Sequence, residues 1–268
     1  MAGTPTGVYL SRDSGRSWNW VSPPWTVWDM AFGPQGRLFV ARNQGISWTD
    51  DLSKDDITWE KTRGLGQALF FNIDPHPTQE DIVLAGSWGN DLGFSEDGGQ
   101  SIRSLHNGLE TLSVLDVLWH PKEGQLTIGT IEGLFRTDDG GESWFKLPGL
   151  LTNQTITSLL QTEGNTIWAG AADGLWASQD YGVTWQRPES MPVATVLRTG
   201  QVTVADQSWL WAGTEGAGLW LSRDNGTTWQ FAGLERLSVY NLLIDPNRPD
   251  YLIAATSDGI YAVRVLVQ

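Results

Sequence analysis

Cysteine is absent from this 268-residue chain, so no disulfide stabilises the fold and no thiol contributes chemistry. Positive charge is scarce: 17 Lys and Arg stand against 31 Asp and Glu, a formal net charge of −14. This balance argues against nucleic acid as a partner and permits a cationic one. No apolar run approaches a membrane span, and no basic-then-apolar secretory signal opens the chain. We therefore expect no membrane insertion, and a cytoplasmic location if the chain is full-length as given.

The feature that the sequence does contain is a recurring octapeptide, Ser/Thr-x-Asp-x-Gly-x-Ser/Thr-Trp, in which Ile102 replaces the Trp of one copy. Its central aspartates are Asp13, Asp97, Asp139, Asp180 and Asp224. Their separations are 84, 42, 41 and 44 residues, and the first is two periods of 42. A fixed period of this size indicates an array of supersecondary units, and it fits one four-stranded propeller blade.

The residue types of the octapeptide explain a tight turn without any further function. Glycine at the fifth place allows a positive φ, and aspartate accepts hydrogen bonds from nearby backbone N–H groups. The Trp buries a large apolar surface against its surroundings. We therefore interpret the five aspartates as structural, with no catalytic role and no bound metal.

Three short β-rich runs accompany each octapeptide, and no helical periodicity competes with them. The fold class is therefore all-β: a single β-propeller domain over residues 1–268, built of four-stranded blades. Six blades are expected, with seven as the alternative, because the sequence holds one surplus third strand. Closure is expected from Ser17–Val21 pairing with a C-terminal strand. The repeats lie near residues 26–62, 69–105, 112–147, 154–187, 192–231, and 238–265 closed with 1–21.

These octapeptides resemble the Asp-box (BNR) repeats, and the resemblance covers nearly the whole chain. In that family the octapeptide is the turn between the third and fourth strands of a propeller blade. The family includes sialidases, xyloglucan-active glycosidases, sortilin-type receptors and a photosystem II assembly factor. The resemblance implies the fold and leaves the activity open. The arginine cluster that a sialidase needs is not evident in this sequence.

The first strands each present one small polar residue, and in a propeller these strands line the central channel. The predicted channel ring consists of Asp29, Asn72, Asp116, Ser158, Thr195 and Asn241. One interpretation is a site for a sugar, a cation or a basic side chain, with Asp29 and Asp116 as a general acid and base in a glycosidase. The other is a water-filled channel whose residues have no ligand.

A second candidate is a binding face formed by the turns between second and third strands and by two tryptophans that break the repeat. Its predicted members are Trp25, Trp88, Glu132, Asp173, Glu215 and Asp258. Acids at one structural position would steer a basic partner, and exposed Trp would supply contact energy. The alternatives are ordinary Asp-Gly turns and packing of a long loop.

These observations favour a non-catalytic protein-interaction or assembly scaffold, with no catalytic residue, no metal and no cofactor. The expected partner is a protein with a basic surface. The alternative is a glycan-binding, lectin-like protein or a glycoside hydrolase that uses the channel-mouth Trp and acidic residues. A glycan reader should expose Trp25 and Trp88 beside polar residues.

Overall fold

The structure, a computed structural model, describes residues 1–54, 56–64, 68–89, 92–105, 109, 113–162, 165–204, 207–245 and 248–264. Every regular element within these ranges is a β-strand. None of the described residues forms a helix long and apolar enough to cross a membrane. The expected repeat bounds at residues 112 and 265 lie outside the described residues. The single domain over 1–268 stays a prediction, because the chain divides into two compact units.

The first unit, Met1–Trp119 with Thr137–Trp144, holds three complete sheets and the first strand of a fourth. The first sheet is β1 (Ala2–Thr4), β2 (Gly7–Leu10) and β3 (Asn19–Trp20). The second is β4 (Val27–Phe32), β5 (Leu38–Arg42), β6 (Gly45–Thr49) and β7 (Glu60–Lys61). The third contains β8 (Arg63–Gly64), β9 (Asp74–Pro75), β10 (Val83–Gly86), β11 (Leu92–Ser95) and β12 (Ser101–Ser104). Its strands pair in the order β8-β12-β11-β10-β9. The fourth sheet begins with β13 (Val114–Trp119).

The second unit, His120–Arg136 with Phe145–Gln268, holds the other strands. The fourth sheet continues with β14 (Leu126–Thr130), β15 (Gly133–Thr137) and β16 (Phe145–Lys146). The fifth is β17 (Ile156–Gln161), β18 (Ile167–Ala171) and β19 (Gly174–Ser178). The sixth is β20 (Val196–Val204), β21 (Gln207–Thr214), β22 (Leu219–Ser222) and β23 (Gln230–Gly233). The seventh is β24 (Val239–Asp245), β25 (Arg248–Thr256) and β26 (Gly259–Arg264).

These seven sheets are the blades of a β-propeller, so the all-β fold class is confirmed with the alternative blade count. The preference for six blades is wrong, and so is the expected pairing of Ser17–Val21 with a C-terminal strand. Asn19 and Trp20 pair instead with Leu10 and Tyr9 of β2. The N-terminal strands therefore form a sheet of their own, and the last three strands form another.

The number of blades was underestimated because the first three-residue strand, Ala2–Thr4, belongs to a blade of its own. Thr4 donates its hydroxyl to the carbonyl of Gly7 at 2.9 Å, which tightens the turn from β1 to β2. Thr130 makes the same bond to Gly133 at 2.9 Å between second and third strands of the fourth sheet. Ala2–Thr4 thus occupies the place of a second strand and pairs with β2.

Second strands carry small residues because the next blade packs directly against them. A β-carbon at Gly213 would lie 2.4 Å from the carbonyl oxygen of Val239, the residue that opens β24. At Gly3 it would lie 2.5 Å from the Cγ1 of Val27, which opens β4. These close approaches exclude any larger side chain, and they bury Val239 completely.

Candidate functional site

The octapeptide Ser178–Trp185 shows how each repeated turn is held. Ser178 donates its hydroxyl to Oδ1 of Asp180 at 2.8 Å and accepts the N–H of Gly182 at 2.8 Å. Thr184 donates its N–H to Oδ1 of Asp180 at 2.8 Å and its hydroxyl to Oδ2 at 2.6 Å. Both carboxylate oxygens therefore accept hydrogen bonds from within the same turn.

The same four bonds surround the central carboxylates of the other copies, Asp13, Asp97, Asp139 and Asp224. Hydrogen bonds from the seventh-position hydroxyl and N–H lower the pKa of Asp180 to about 2. No group of three His, Cys, Asp or Glu that could hold a metal ion occurs within the described ranges. This geometry is what a structural role of the aspartates requires.

Each octapeptide turn uses two consecutive left-handed residues, of which the sequence pattern indicated only one. The fifth-place glycine has a positive φ, as in Gly182 at 87° and Gly226 at 87°. The fourth place has one too, at Tyr181 with 58° and Asn225 with 56°. Asparagine tolerates this conformation, whereas tyrosine is strained there.

Three members of the predicted channel ring lie together in the first unit, where they join neighbouring first strands. Asp29 accepts the N–H of Met30 at 2.9 Å and, through Oδ2, the N–H of Ile73 at 3.2 Å. Asn72 donates its side-chain amide to Oδ1 of Asp116 at 3.1 Å. Asn72 is 0% exposed and Asp116 is 4% exposed. These bonds give the polar ring residues a structural role in holding one blade to the next.

In the second unit, Ser158 also bonds to the neighbouring blade, since its hydroxyl oxygen accepts the N–H of Thr199 at 3.0 Å. The inclusion of Thr195 in the ring is wrong. Ser158 pairs with Gly170 of the second strand directly after a register shift, and in the next blade Arg198 pairs with Gly213 in the same way. Arg198 is therefore the residue of its blade that is equivalent to Ser158. Thr195 precedes β20 and donates its hydroxyl to the carbonyl of Ala172 at 3.2 Å.

Asn241 completes the predicted ring on β24, where it pairs with Ala255 of β25. Its side-chain oxygen accepts the N–H of Leu242 at 2.8 Å. The side chain of Asn241 is exposed. Its bond therefore stays within its own strand, in contrast with the bonds of Asp29 and Ser158 that reach a neighbouring blade.

The four acids of the predicted binding face lie in turns between second and third strands, as expected, and all belong to the second unit. Two of them bond to an aromatic side chain of the third strand that follows. Asp173 accepts the indole N–H of Trp176 at 2.8 Å, and Asp258 accepts the hydroxyl of Tyr261 at 2.6 Å. Glu132 and Glu215 have exposed side chains. A common face of these acids with Trp25 and Trp88 stays a prediction, because both tryptophans belong to the first unit.

Trp25 is a packing residue of its loop. Its ring contacts Trp59 edge-to-face at 5.4 Å, and the Arg42 guanidinium lies 4.8 Å from its ring centroid. Arg42 is itself buried and donates to the hydroxyl of Ser47 at 3.0 Å. Trp25 is therefore partly buried rather than fully exposed, and its place on the binding face stays a prediction.

Trp88 is exposed, as expected, and it belongs to an aromatic cluster that the sequence did not indicate. Phe71 lies between Trp28 and Trp88, with centroid distances of 5.1 Å and 5.5 Å and interplanar angles of 83° and 80°. Trp28 is 49% exposed and Trp88 is 55% exposed. We call Trp28, Phe71 and Trp88 the aromatic cluster.

Two backbone features position the aromatic cluster: a β-bulge at Trp28 and backbone hydrogen bonds at Phe71 and Trp88. Trp28 sits where the register between β4 and β5 shifts by one residue, so it is the extra residue of a β-bulge. Phe71 donates its backbone N–H to the carbonyl oxygen of Gly86 at 3.0 Å, and Trp88 donates its backbone N–H to the carbonyl oxygen of Leu69 at 3.0 Å. A usable signal existed in the sequence: Trp28 and Phe71 each directly precede a ring residue. A bulge re-aims a side chain, which explains why Trp28 is not buried in its blade.

The fold is that of a β-propeller, and the first unit carries an exposed aromatic cluster. No protein-family profile matches the chain, and no curated protein is significantly similar to it in sequence. Several solved structures are similar to this chain in fold. One is "YCF48 bound to D1 peptide", with a TM-score of 0.69 and 14% identity over 99% of this chain and 88% of that one.

Two others are glycoside hydrolases of family GH74. The GH74 enzyme of Niastella koreensis has a TM-score of 0.74 and 15% identity, covering 97% of this chain and 49% of its own. The GH74 xyloglucanase of Xanthomonas campestris has a TM-score of 0.71 and 15% identity, over 98% of this chain and 50% of the enzyme. The chain thus spans about half the length of these enzymes. At such identities the similarity shows the fold alone.

Proposed function

We propose that this chain is a non-catalytic Asp-box propeller that binds a protein segment through the aromatic cluster. The observation that carries the proposal is the arrangement of Trp28 and Trp88, both about half exposed, on either side of Phe71. Trp is enriched among residues that dominate protein interfaces, because it brings a large rigid surface at low entropic cost. An exposed group of three aromatic rings needs a partner more than single exposed residues do.

Two further observations support a protein partner over a glycan. Sugar binding needs polar groups beside the aromatic rings, yet the neighbouring Asn72 and Asp116 are buried and bonded to each other. The net charge of −14 favours a partner with a basic surface. The similar protein YCF48 was solved bound to a peptide, which makes a peptide a sensible first ligand to test.

The rival is a glycan-directed protein, since GH74 enzymes share the fold. A glycosidase needs two carboxyl groups open to the substrate, one as acid and one as base or nucleophile. Asp116 is 4% exposed, and Asp29 accepts two backbone N–H groups. Both observations favour a structural role for these acids, in agreement with the non-catalytic proposal.

Selection from a random-peptide display library tests the proposal, with a glycan array that includes xyloglucan oligosaccharides run in parallel. Enriched peptides should lose about 2 kcal/mol of binding, roughly 30-fold, on Trp28→Ala or Trp88→Ala. The matched control is Trp20→Ala, which removes an equally exposed indole (55%) from β3. Binding should also weaken with added salt.

Two results would overturn the proposal. One is a set of enriched peptides that bind the Trp28→Ala and Trp88→Ala variants as well as they bind the Trp20→Ala control. The other is hydrolysis of a glycan that Asp29→Asn or Asp116→Asn abolishes, which would establish the enzyme instead.

A further inference from the structure

We infer that the aromatic cluster holds a lysine or arginine side chain of the bound segment, with the cation against the ring faces of Trp28 and Trp88. This inference rests on the proposed function and names the chemistry of its contact. Aromatic rings attract a cation through their negative faces, and Trp does so best. Phe71 meets both indoles edge-to-face, and Trp28, 49% exposed, and Trp88, 55% exposed, present ring surface to a ligand.

Two carboxylates lie next to the aromatic cluster along the chain. Asp29 directly follows Trp28, and its Oδ2 accepts the N–H of Ile73, two residues beyond Phe71. Asp116 accepts the side-chain amide of Asn72, the residue after Phe71. These bonds hold both side chains beside the chain positions of the aromatic cluster, within a chain whose net charge of −14 favours a cationic ligand.

The same unit shows that its tryptophans accept guanidinium groups. Arg37 lies 3.8 Å from the ring centroid of Trp48, and Arg42 lies 4.8 Å from that of Trp25. Both are contacts within the chain, at rings that are more buried than those of Trp28 and Trp88. A strongly acidic chain that pairs its own arginines with Trp is well matched to a basic segment at its exposed Trp cluster.

The test uses three single-residue probes: Nα-acetyl-lysine amide, Nα-acetyl-arginine amide and the neutral Nα-acetyl-norleucine amide. Norleucine keeps an unbranched aliphatic side chain and lacks the charge. Indole N–H signals of Trp28 and Trp88, assigned from the single-Trp variants, are followed by NMR at constant ionic strength. The two cationic probes should shift both signals saturably and bind at least about threefold more tightly than the neutral probe.

Variants test the contribution of the rings. In Trp28→Leu the signal of Trp88 should no longer respond to the cationic probes, whereas Trp20→Leu should leave the response intact.

Equal binding of the neutral and cationic probes would overturn the inference, and so would unshifted indole signals at the highest soluble concentration. The peptide selection gives a separate readout. Enriched peptides without Lys or Arg that still depend on Trp28 and Trp88 would overturn the cation site and leave the proposed function intact. Enriched peptides that ignore both tryptophans would overturn the proposed function itself.

Discussion

Gly226 lies directly against the indole of Trp168: a β-carbon at Gly226 would be 2.1 Å from Cζ2 of that ring. The octapeptide turn of the sixth blade therefore packs on a second-strand Trp of the fifth. Trp229, the last residue of the same octapeptide, meets Trp168 edge-to-face at 5.6 Å. The turn motif thus acts as an inter-blade contact as well as a hairpin.

This contact predicts that Gly226→Ala is more destabilising than the loss of a left-handed glycine alone. Gly36 is the matched control, because its φ of 84° is close to the 87° of Gly226 and nothing would lie within 4 Å of its β-carbon. We expect about 1–2 kcal/mol of unfolding free energy to be lost in Gly36→Ala and about 1–3 kcal/mol more in Gly226→Ala. Urea unfolding measures both, and equal losses would refute the packing argument.

A reciprocal exchange tests the strain at the fourth place of the octapeptide. Tyr181 adopts a φ of 58° and is 41% exposed, so its ring gains little burial in return for the strain. Tyr181→Asn should stabilise the fold by about 0.5–1 kcal/mol, because asparagine adopts this conformation more easily. Asn225→Tyr, at a φ of 56°, should destabilise it by a similar amount. Thermal unfolding midpoints that move in the same direction in both variants would contradict this account.

The turn carboxylates predict how stability falls in acid. The pKa of Asp180 is about 2 in the folded protein against an ordinary 3.8, chiefly because Thr184 donates a hydrogen bond. Its contribution to stability is therefore complete above the ordinary value and is lost as pH falls through the folded one. Thermal unfolding across this interval should be less pH-dependent in Asp180→Asn and in Thr184→Val than in the unsubstituted chain. An unchanged pH dependence in Thr184→Val would show that the hydroxyl does not set the pKa.

The buried pair Asn72 and Asp116 predicts a coupling between two blades. Asn72→Ala removes an amide donor from a carboxylate that is 4% exposed, which should cost about 2 kcal/mol of stability. A double-mutant cycle with Asp116→Ala should give a coupling energy of about 0.5–3 kcal/mol. The control is Asn241→Ala, since the exposed Asn241 bonds to the N–H of Leu242 on its own strand. A coupling near zero would mean that the hydrogen bond does not join the blades.

The aromatic cluster illustrates what the sequence could not predict. Trp88 stands out from the repeat, and Trp28 and Phe71 each directly precede a ring residue, but the pattern does not indicate that the three side chains meet. Only the bulge at Trp28 and the two backbone bonds beside Trp88 turn the three side chains to one place. The partial burial of Trp25 could not be predicted either, because its contact residue Trp59 is 34 residues away in the sequence.

The sequence by itself determined the repeated turns and the all-β blades. Every bond of an octapeptide joins residues at most four positions apart, as between Asp180 and Thr184, so residue type alone specifies it. The tertiary structure decided the blade count, the residue at each ring position and the exposed aromatic cluster. Those depend on strand register and on contacts such as Asp29 with Ile73, 44 residues apart. A shift of one residue in a strand moves its side chains to the other face, and a sequence period does not record that shift.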